Sequence, residues 1–332
     1  MDKFKALLLT KTDGQVQADV TTCDVSQLSE GDTLIKVSYS AINYKDALAT
    51  KTKSGVIRHF PMIPGIDLAG EVIETTSDKL KVGDKVVVTG QGTGVSHTGG
   101  LSEIARIPSE WILPLPTGLS EKESMFFGTA GITAMHAIQR LEVEGLAGNY
   151  DTPVMVSGAT GGVGSLAIIL LASLGYKNII AISRKEETVD YLKSIGATQV
   201  ISPAELESEK KRPLEKQQVS YMIDTVGGAL VENVLPKVNY GGAVALCGNA
   251  SGIAFSTTVL PFILRGIALV GVDSVQLSGE TKAALWTRIS ESVNRELLAN
   301  LRVNDCDLTT ILDTVSELLA GTHTGRTVVA VQ

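Results

Sequence analysis

The chain of 332 residues is long enough for two domains, and its 44% hydrophobic and 20% charged residues are those of an ordinary globular protein. A net charge of −7 argues against binding nucleic acid through bulk charge, since no basic stripe stands against a phosphate backbone. Cys23, Cys247 and Cys306, and His59, His97, His136 and His323, all stand singly, which argues against a disulfide framework and against a structural zinc site. No apolar run nears a membrane span, and the segment MDKFKALLLTKTDG holds only a short apolar run between charges. The expectation is a cytoplasmic protein with neither signal peptide nor membrane anchor.

In chain order, residues 34–42 alternate in part between apolar and polar, and 69–73 and 85–88 are short β-favouring runs bounded by Gly and Asp. Without strand–helix–strand repetition, this pattern predicts a compact, mostly antiparallel, barrel-like first domain. Ser120 followed by Glu123 forms a capping-box pattern, opening a helical stretch that runs into GTAGITAMHAIQRL at 128–141, near which the domain boundary falls. From 153 to 272, apolar strands at 154–157, 179–183, 200–201, 221–225, 243–247 and 267–272 alternate with helical segments. They fit two mononucleotide-binding halves of one doubly wound sheet. The charged stretch 205–212 reads as a solvated surface. Helical patterns at 280–298 and 308–319 follow, and 327–331 reads as a strand that rejoins the first domain, making the nucleotide domain an insertion.

The chemistry concentrates at 154–164, VMVSGATGGVG, where an apolar strand runs into a glycine cluster that opens an apolar helix at 165–174. Gly158, Gly161 and Gly164 allow a tight turn, a close approach of backbone to a pyrophosphate, and close packing of helix on strand. The helix's free amides and positive dipole end then face phosphates. A chain selecting NAD usually has a carboxylate about 20 residues past the glycines, for the ribose 2′-hydroxyl. Here that stretch reads Ser183, Arg184, Lys185, a hydroxyl and two cations suited to a 2′-phosphate, so the expected cofactor is NADPH. The other reading of Arg184 and Lys185 is solvated charge ahead of a helix that starts with Glu186 and Glu187.

The motifs NYKDAL at 43–48, FPMIPGID at 60–67, GTAGITAM at 128–135, GATGGVG, DTVGG at 224–228, NYGG at 239–242, PFILRG with VDSV, and GRTVV at 325–329 run through essentially the whole chain. With them the sequence resembles the zinc-free quinone oxidoreductase branch of the medium-chain dehydrogenase/reductase superfamily, the branch that includes bacterial acrylyl-CoA reductases. The resemblance implies an α/β protein with a GroES-like, mostly antiparallel β-barrel catalytic domain at 1–126 and 273–332. It also implies a doubly wound Rossmann NADP-binding domain at 127–272, and a homodimer, paired through 267–272. Where zinc-dependent relatives place ligands, this chain has Asn43, Gly65-Ile66-Asp67 and Thr129, and the glycine-rich 91–100 stands in place of their four-cysteine lobe. No metal is expected, and zinc-bound alkoxide chemistry loses its ligand set.

The resemblance implies hydride transfer from NADPH to an α,β-unsaturated carbonyl or a quinone, with the protein orienting the reactants and stabilising charge on one oxygen. Asn43 and Tyr44 would line the nicotinamide side, with Tyr44 either a donor to the substrate carbonyl or cofactor ribose, or a packed aromatic. Asp46 would fix that loop or cap the helix after Asn43. Thr129 and Thr133 would reach the carboxamide or simply pack. Thr160, Gly161, Gly162 and Val163 would hold the pyrophosphate, and Ser183, Arg184 and Lys185 the 2′-phosphate. Asn249, Ile263 and Ser274 would complete the cofactor wall, and Arg326 would be a distal contact to cofactor or substrate. Ser202 and Pro203 replace an Arg that flanks the adenine in relatives. Lys51, Lys53 and Arg58 would meet the phosphates of a coenzyme A thioester, or form a solvated loop. Three functions stay open: a conjugate reductase of acrylyl-CoA, a quinone reductase, and a non-catalytic NADPH sensor, each with a small-molecule partner.

Overall fold

The computed structural model describes residues 3–332; Met1 and Asp2, the start of the N-terminal segment and of the first domain read above, lie outside the described residues. The chain forms two compact units: Met1–Thr129 with Ser274–Ser290 and Arg302–Gln332, and Ala130–Asp273 with Glu291–Leu301.

The first unit opens with a hairpin of two ten-residue strands, Lys3–Thr12 and Gln15–Asp24. Asp13 and Gly14 join them, both at positive φ, which twists the turn in the sense the strands require. The contiguous apolar run Leu7–Leu9 hides this strand from an alternation test. The main sheet has seven strands, ordered Val303–Asp307, Arg326–Ala330, Thr33–Ile42, Asp67–Thr75, Lys85–Thr89 and Leu113–Pro114, with Ile104–Ile107 also paired to Thr33–Ile42. All pairings are antiparallel except that of Val303–Asp307 with Arg326–Ala330. Leu7, Ile35, Val37, Leu68, Val72, Val86, Val88 and Val329 form its core. Strand Arg326–Ala330 pairs Thr327 with Ile42, which is how the chain's last strand reaches the segment just before Asn43.

The second unit is a six-stranded, all-parallel sheet ordered Gln199–Ile201, Ile179–Ile182, Val154–Val156, Val219–Asp224, Val238–Leu246 and Ala268–Gly271. The order reverses direction between Val154–Val156 and Val219–Asp224, the topological switch point at which such sheets bind nucleotides. Helix Gly162–Ser173 is apolar all round and buried from Gly164 to Leu171. It lies on strands Val154–Val156 and Ile179–Ile182, with Arg295–Ala299 also packed on it.

That last contact corrects two expectations. The helix read at 280–298 is two helices, Gly279–Ser292 and Arg295–Ala299, broken where Asn294 caps the second by accepting from Glu296 N and Leu297 N. Asn294 N also donates to Ser173 Oγ at 2.9 Å, which ties Glu291–Leu301 to the second unit rather than to the first. Strand Val303–Asp307, with three polar residues in five, had no periodicity to announce it. The helix read at 308–319 starts at Ile311. The charged stretch 205–212 is largely exposed. Cys23, Cys247 and Cys306 are free thiols. No helix among the described residues is long and apolar enough to cross a membrane.

Candidate active site

In the first unit the site is built around an interruption in one helix. Ser120 and Glu123 open it as their spacing predicts, the Ser120 hydroxyl donating to Glu123 Oε2 at 2.8 Å while accepting from Glu123 N. At Gly128 the backbone leaves the helical region, with φ 49° and ψ −148°, before the helix resumes at Thr129. A side chain there would collide with the Asp67 carboxylate, so glycine is required by both conformation and space.

The interruption exposes helix-terminal backbone groups inside the protein, and two charged side chains satisfy them. Asp67 accepts from Thr129 N at 2.9 and 3.0 Å, from Thr129 Oγ1 at 2.5 Å and from Asn43 Nδ2 at 2.8 Å. Arg326 donates from Nε to Phe126 O at 2.8 Å, from Nη2 to Met125 O at 3.4 Å and from Nη1 to Asn43 Oδ1 at 3.2 Å. The anion thus sits at the resumed helix's amino end and the cation at the first segment's carbonyl end, each matching the local dipole. Burial pushes the Asp67 carboxyl above its usual range while the Arg326 guanidinium pulls it back, and burial lowers Arg326 from its own ordinary value.

Asn43 is locked by this pair, its amide nitrogen spent on Asp67 and its oxygen on Arg326. Asp46, also buried, accepts from Asn43 N at 2.8 Å and from Gly65 N and Ile66 N, each at 3.1 Å. Both readings of Asp46 hold together: it caps helix Tyr44–Ala49 and ties that helix to the 65–66 turn. Tyr44 is 41% exposed, and its hydroxyl makes no hydrogen bond among the described residues. Thr133 is buried. Lys51, Lys53 and Arg58 are exposed.

Two expectations are corrected here. Arg326, read as a distal contact to cofactor or substrate, is only 3% exposed and faces the protein's own carbonyls. Asp67, noted only as a departure from a ligand motif, is the centre of the network. The resemblance sets Asn43, Gly65-Ile66-Asp67 and Thr129 where zinc-dependent relatives hold ligands, and in this structure Asn43, Asp67 and Thr129 meet in one network. Their polar atoms are spent on one another, and a buried guanidinium stands beside the carboxylate. A cation does not fit.

Burial, opposed by its backbone donors, pushes Asp46 up to about 6. A carboxyl with an unfolded value of about 3.9 and a raised folded value contributes stability that is full below pH 3.9 and gone above about 6. At pH 5 the protein should hold about 1.4 kcal/mol from this source that it lacks at pH 8. Urea unfolding of wild type and Asp46→Asn at both values measures it: the wild type alone should gain that increment at pH 5, and equal shifts in both proteins would refute the assignment.

In the second unit the glycine turn follows strand Val154–Val156. Gly158 has φ +54°, and a side chain on it would strike the Thr225 hydroxyl; one on Gly164 would strike Gly158 O. Gly161 caps helix Gly162–Ser173 without any side-chain bond, leaving the amides of Gly162 and Val163 for an anion. Thr160, Gly161, Gly162 and Val163 are all part-exposed. Ser183, Arg184 and Lys185 follow the neighbouring strand, Ile179–Ile182, the Ser183 hydroxyl accepting from Lys185 N at 3.1 Å. Arg184 is exposed. Asn249 and Ile263 are exposed in this unit, and Ser274 is buried in the first. These glycines and this helix end fit a dinucleotide pyrophosphate, and the Ser-Arg-Lys turn fits a 2′-phosphate.

Residues 162–291 match the family model described as zinc-binding dehydrogenase, and 29–117 the alcohol dehydrogenase GroES-like domain. The chain is 47% identical over 286 residues, 86% of it and 87% of the relative, to a protein named probable acrylyl-CoA reductase AcuI of Escherichia coli (strain K12). It is 40% identical over 326 residues, 98% of each chain, to a protein named putative quinone oxidoreductase YhfP of Bacillus subtilis (strain 168). A crystal structure of the Bacillus subtilis protein yhfP with NAD bound aligns with TM-score 0.95 at 39% identity, covering all of both chains. The yhdH oxidoreductase of Salmonella enterica in complex with NADP aligns with TM-score 0.94 at 43% identity, over 99% of this chain and 100% of that one. The chain therefore belongs to the medium-chain dehydrogenase/reductase superfamily, in the branch that holds proteins named acrylyl-CoA reductase AcuI and quinone oxidoreductase YhfP.

Proposed function

We propose that this protein is an NADPH-dependent reductase that adds hydride to the conjugate carbon of an activated double bond, with acrylyl-CoA as substrate. The observation that carries this reading is the 47% identity, over most of both chains, to a protein named probable acrylyl-CoA reductase. NADPH, when bound, supplies the hydride. The chain's residues hold the amides of Gly162 and Val163, with Thr160 and Gly161, toward the pyrophosphate, and Ser183, Arg184 and Lys185 toward the 2′-phosphate. Asn249, Ile263 and Thr133 complete the second unit's share of the cofactor's surroundings. The Thr129 hydroxyl donates its hydrogen bond to Asp67, so it offers only acceptor lone pairs to a carboxamide.

Conjugate addition places negative charge on the thioester oxygen, and the open hydroxyl of Tyr44 is the donor for it. The enolate then takes a proton from solvent at the adjacent carbon, so that one hydride and one proton saturate the double bond. Asn43, clamped by Asp67 and Arg326, fixes the backbone from which Tyr44 projects. Lys51, Lys53 and Arg58, exposed within one loop, offer cations to the phosphates of coenzyme A. A second reading, NADPH:quinone reduction, draws on the 40% identity to a protein named quinone oxidoreductase. We place the enzyme in the cytoplasm as a homodimer. Strand Ala268–Gly271 ends its sheet, so its outer edge is available to a second copy, and sedimentation at two concentrations tests that.

Initial rates of NADPH oxidation with acrylyl-CoA and with a simple benzoquinone, each repeated with NADH, test the function. A high kcat/KM for acrylyl-CoA with NADPH is expected; turnover of the quinone alone would favour the second reading, and tight NADPH binding without turnover would leave a sensor. In the same assay Arg184→Ala with Lys185→Ala should raise the KM for NADPH about ten- to hundredfold and leave that for NADH unchanged, the range for lost charge-assisted hydrogen bonds.

A further inference from the structure

The DTVGG run has no part in the site so far, yet it carries a buried polar cluster directly beneath the glycine turn. Ser157, immediately before Gly158, and Asp224, at the end of the adjacent strand, are both fully buried. The Ser157 hydroxyl donates to Asp224 Oδ1 at 2.7 Å and accepts from Thr225 N at 2.8 Å, while the Thr225 hydroxyl donates to Ser157 O at 2.9 Å. Asp224 Oδ2 accepts from Gly227 N at 2.7 Å. The other side of the crevice is stitched to the same cluster, since Cys247 N donates to Asp224 O at 2.9 Å and Ser251 N to Val226 O at 2.7 Å.

A buried carboxylate at the carboxyl end of a sheet, under a turn shaped for phosphate, is electrostatically unfavourable for anion binding. What it contributes is geometry. Asp224 holds the Ser157 hydroxyl, Ser157 and Thr225 hold each other across the switch point, and the Thr225 hydroxyl fills the space beside Gly158 that a side chain would occupy. The turn's positive φ at Gly158, which aims the following amides, is therefore set from the neighbouring strand.

We infer that Thr225, supported by Ser157 and Asp224, is a positioning residue that sets the dinucleotide turn and hence the affinity for NADPH. This rests on the reading that the glycine turn binds NADPH. The test is calorimetric titration of NADPH into wild type, Thr225→Val, which keeps the shape and removes the hydroxyl, and Thr225→Ser, which keeps the hydroxyl. Thr225→Val should weaken binding about tenfold, the loss of one buried hydrogen bond with its acceptor left unpaired, and Thr225→Ser should restore most of it. At saturating NADPH, kcat and the KM for acrylyl-CoA should stay within twofold of wild type. Equal NADPH affinity in all three proteins would overturn the inference, as would a valine variant that loses kcat and thermal stability with its NADPH affinity intact. Failure of the wild type to bind NADPH would instead overturn the reading on which it rests.

Discussion

Replacing Arg326 with methionine should destabilise the protein by about 3–5 kcal/mol and abolish turnover, because it leaves the Asp67 carboxylate buried without its counter-charge. Methionine retains much of the aliphatic volume, so the loss would not come from a cavity. It would come from four groups at once: Phe126 O, Met125 O and Asn43 Oδ1 lose their donors, and Asp67 loses the guanidinium that opposes its desolvation. Asp67→Asn alone should also destabilise, by stranding the guanidinium and by turning an amide donor toward Asn43 Nδ2 or Thr129 N. The double variant Arg326→Met with Asp67→Asn should recover part of the loss, since removing both charges of a buried pair costs less than removing one. Guanidinium unfolding of the four proteins closes the cycle. If Arg326→Met unfolds within about 1 kcal/mol of wild type, the pair does not brace the helix break.

Tyr44→Phe should lower kcat with acrylyl-CoA by about 10²–10³, the range for removing one donor to a developing oxyanion, while leaving stability unchanged. The two effects separate because the Tyr44 hydroxyl makes no hydrogen bond within the described residues, so its removal breaks nothing in the fold, and the ring remains. The measurements are kcat and KM for acrylyl-CoA, the KM for NADPH, and the unfolding midpoint. An unchanged kcat would return Tyr44 to the packed-aromatic reading and leave the oxygen's charge to another donor. A loss confined to the KM for NADPH would move the hydroxyl from the substrate carbonyl to the cofactor ribose.

These two residues differ in how they could be found. Tyr44 stands in the short motif NYKDAL, and the family resemblance that this motif helps to carry is what singled it out, while the spacing of Asn43 and Asp46 accounts only for the cap of its helix. Arg326 bonds Asn43 from 283 positions away. In sequence it is only a basic residue ahead of a β-favouring run, a pattern that suits a surface contact, and pairing of its strand with Thr33–Ile42 is what turns it inward. Asp67 was equally silent: a carboxylate after Gly-Ile has no sign of burial until the helix opens at Gly128 to receive it. Asn294 lay inside a stretch read as one helix, and the break it caps came to light only in the structure, where its amide donates to Ser173.

What the amino-acid order determined by itself was everything set within a few residues: the glycine turn with its helix end, the Ser-Arg-Lys turn after the second strand, the capping boxes, and the six apolar strands of a doubly wound sheet. Those features depend on backbone conformation, dipoles and periodicity, which are local. The tertiary structure alone decided which polar side chains would be desolvated together. It placed Asp67 and Arg326 at the two ends of a broken helix and set Ser157, Asp224 and Thr225 under the dinucleotide turn. The cost of burying a charge or a hydroxyl depends on partners from distant strands, and no periodicity in a single chain records who those partners are.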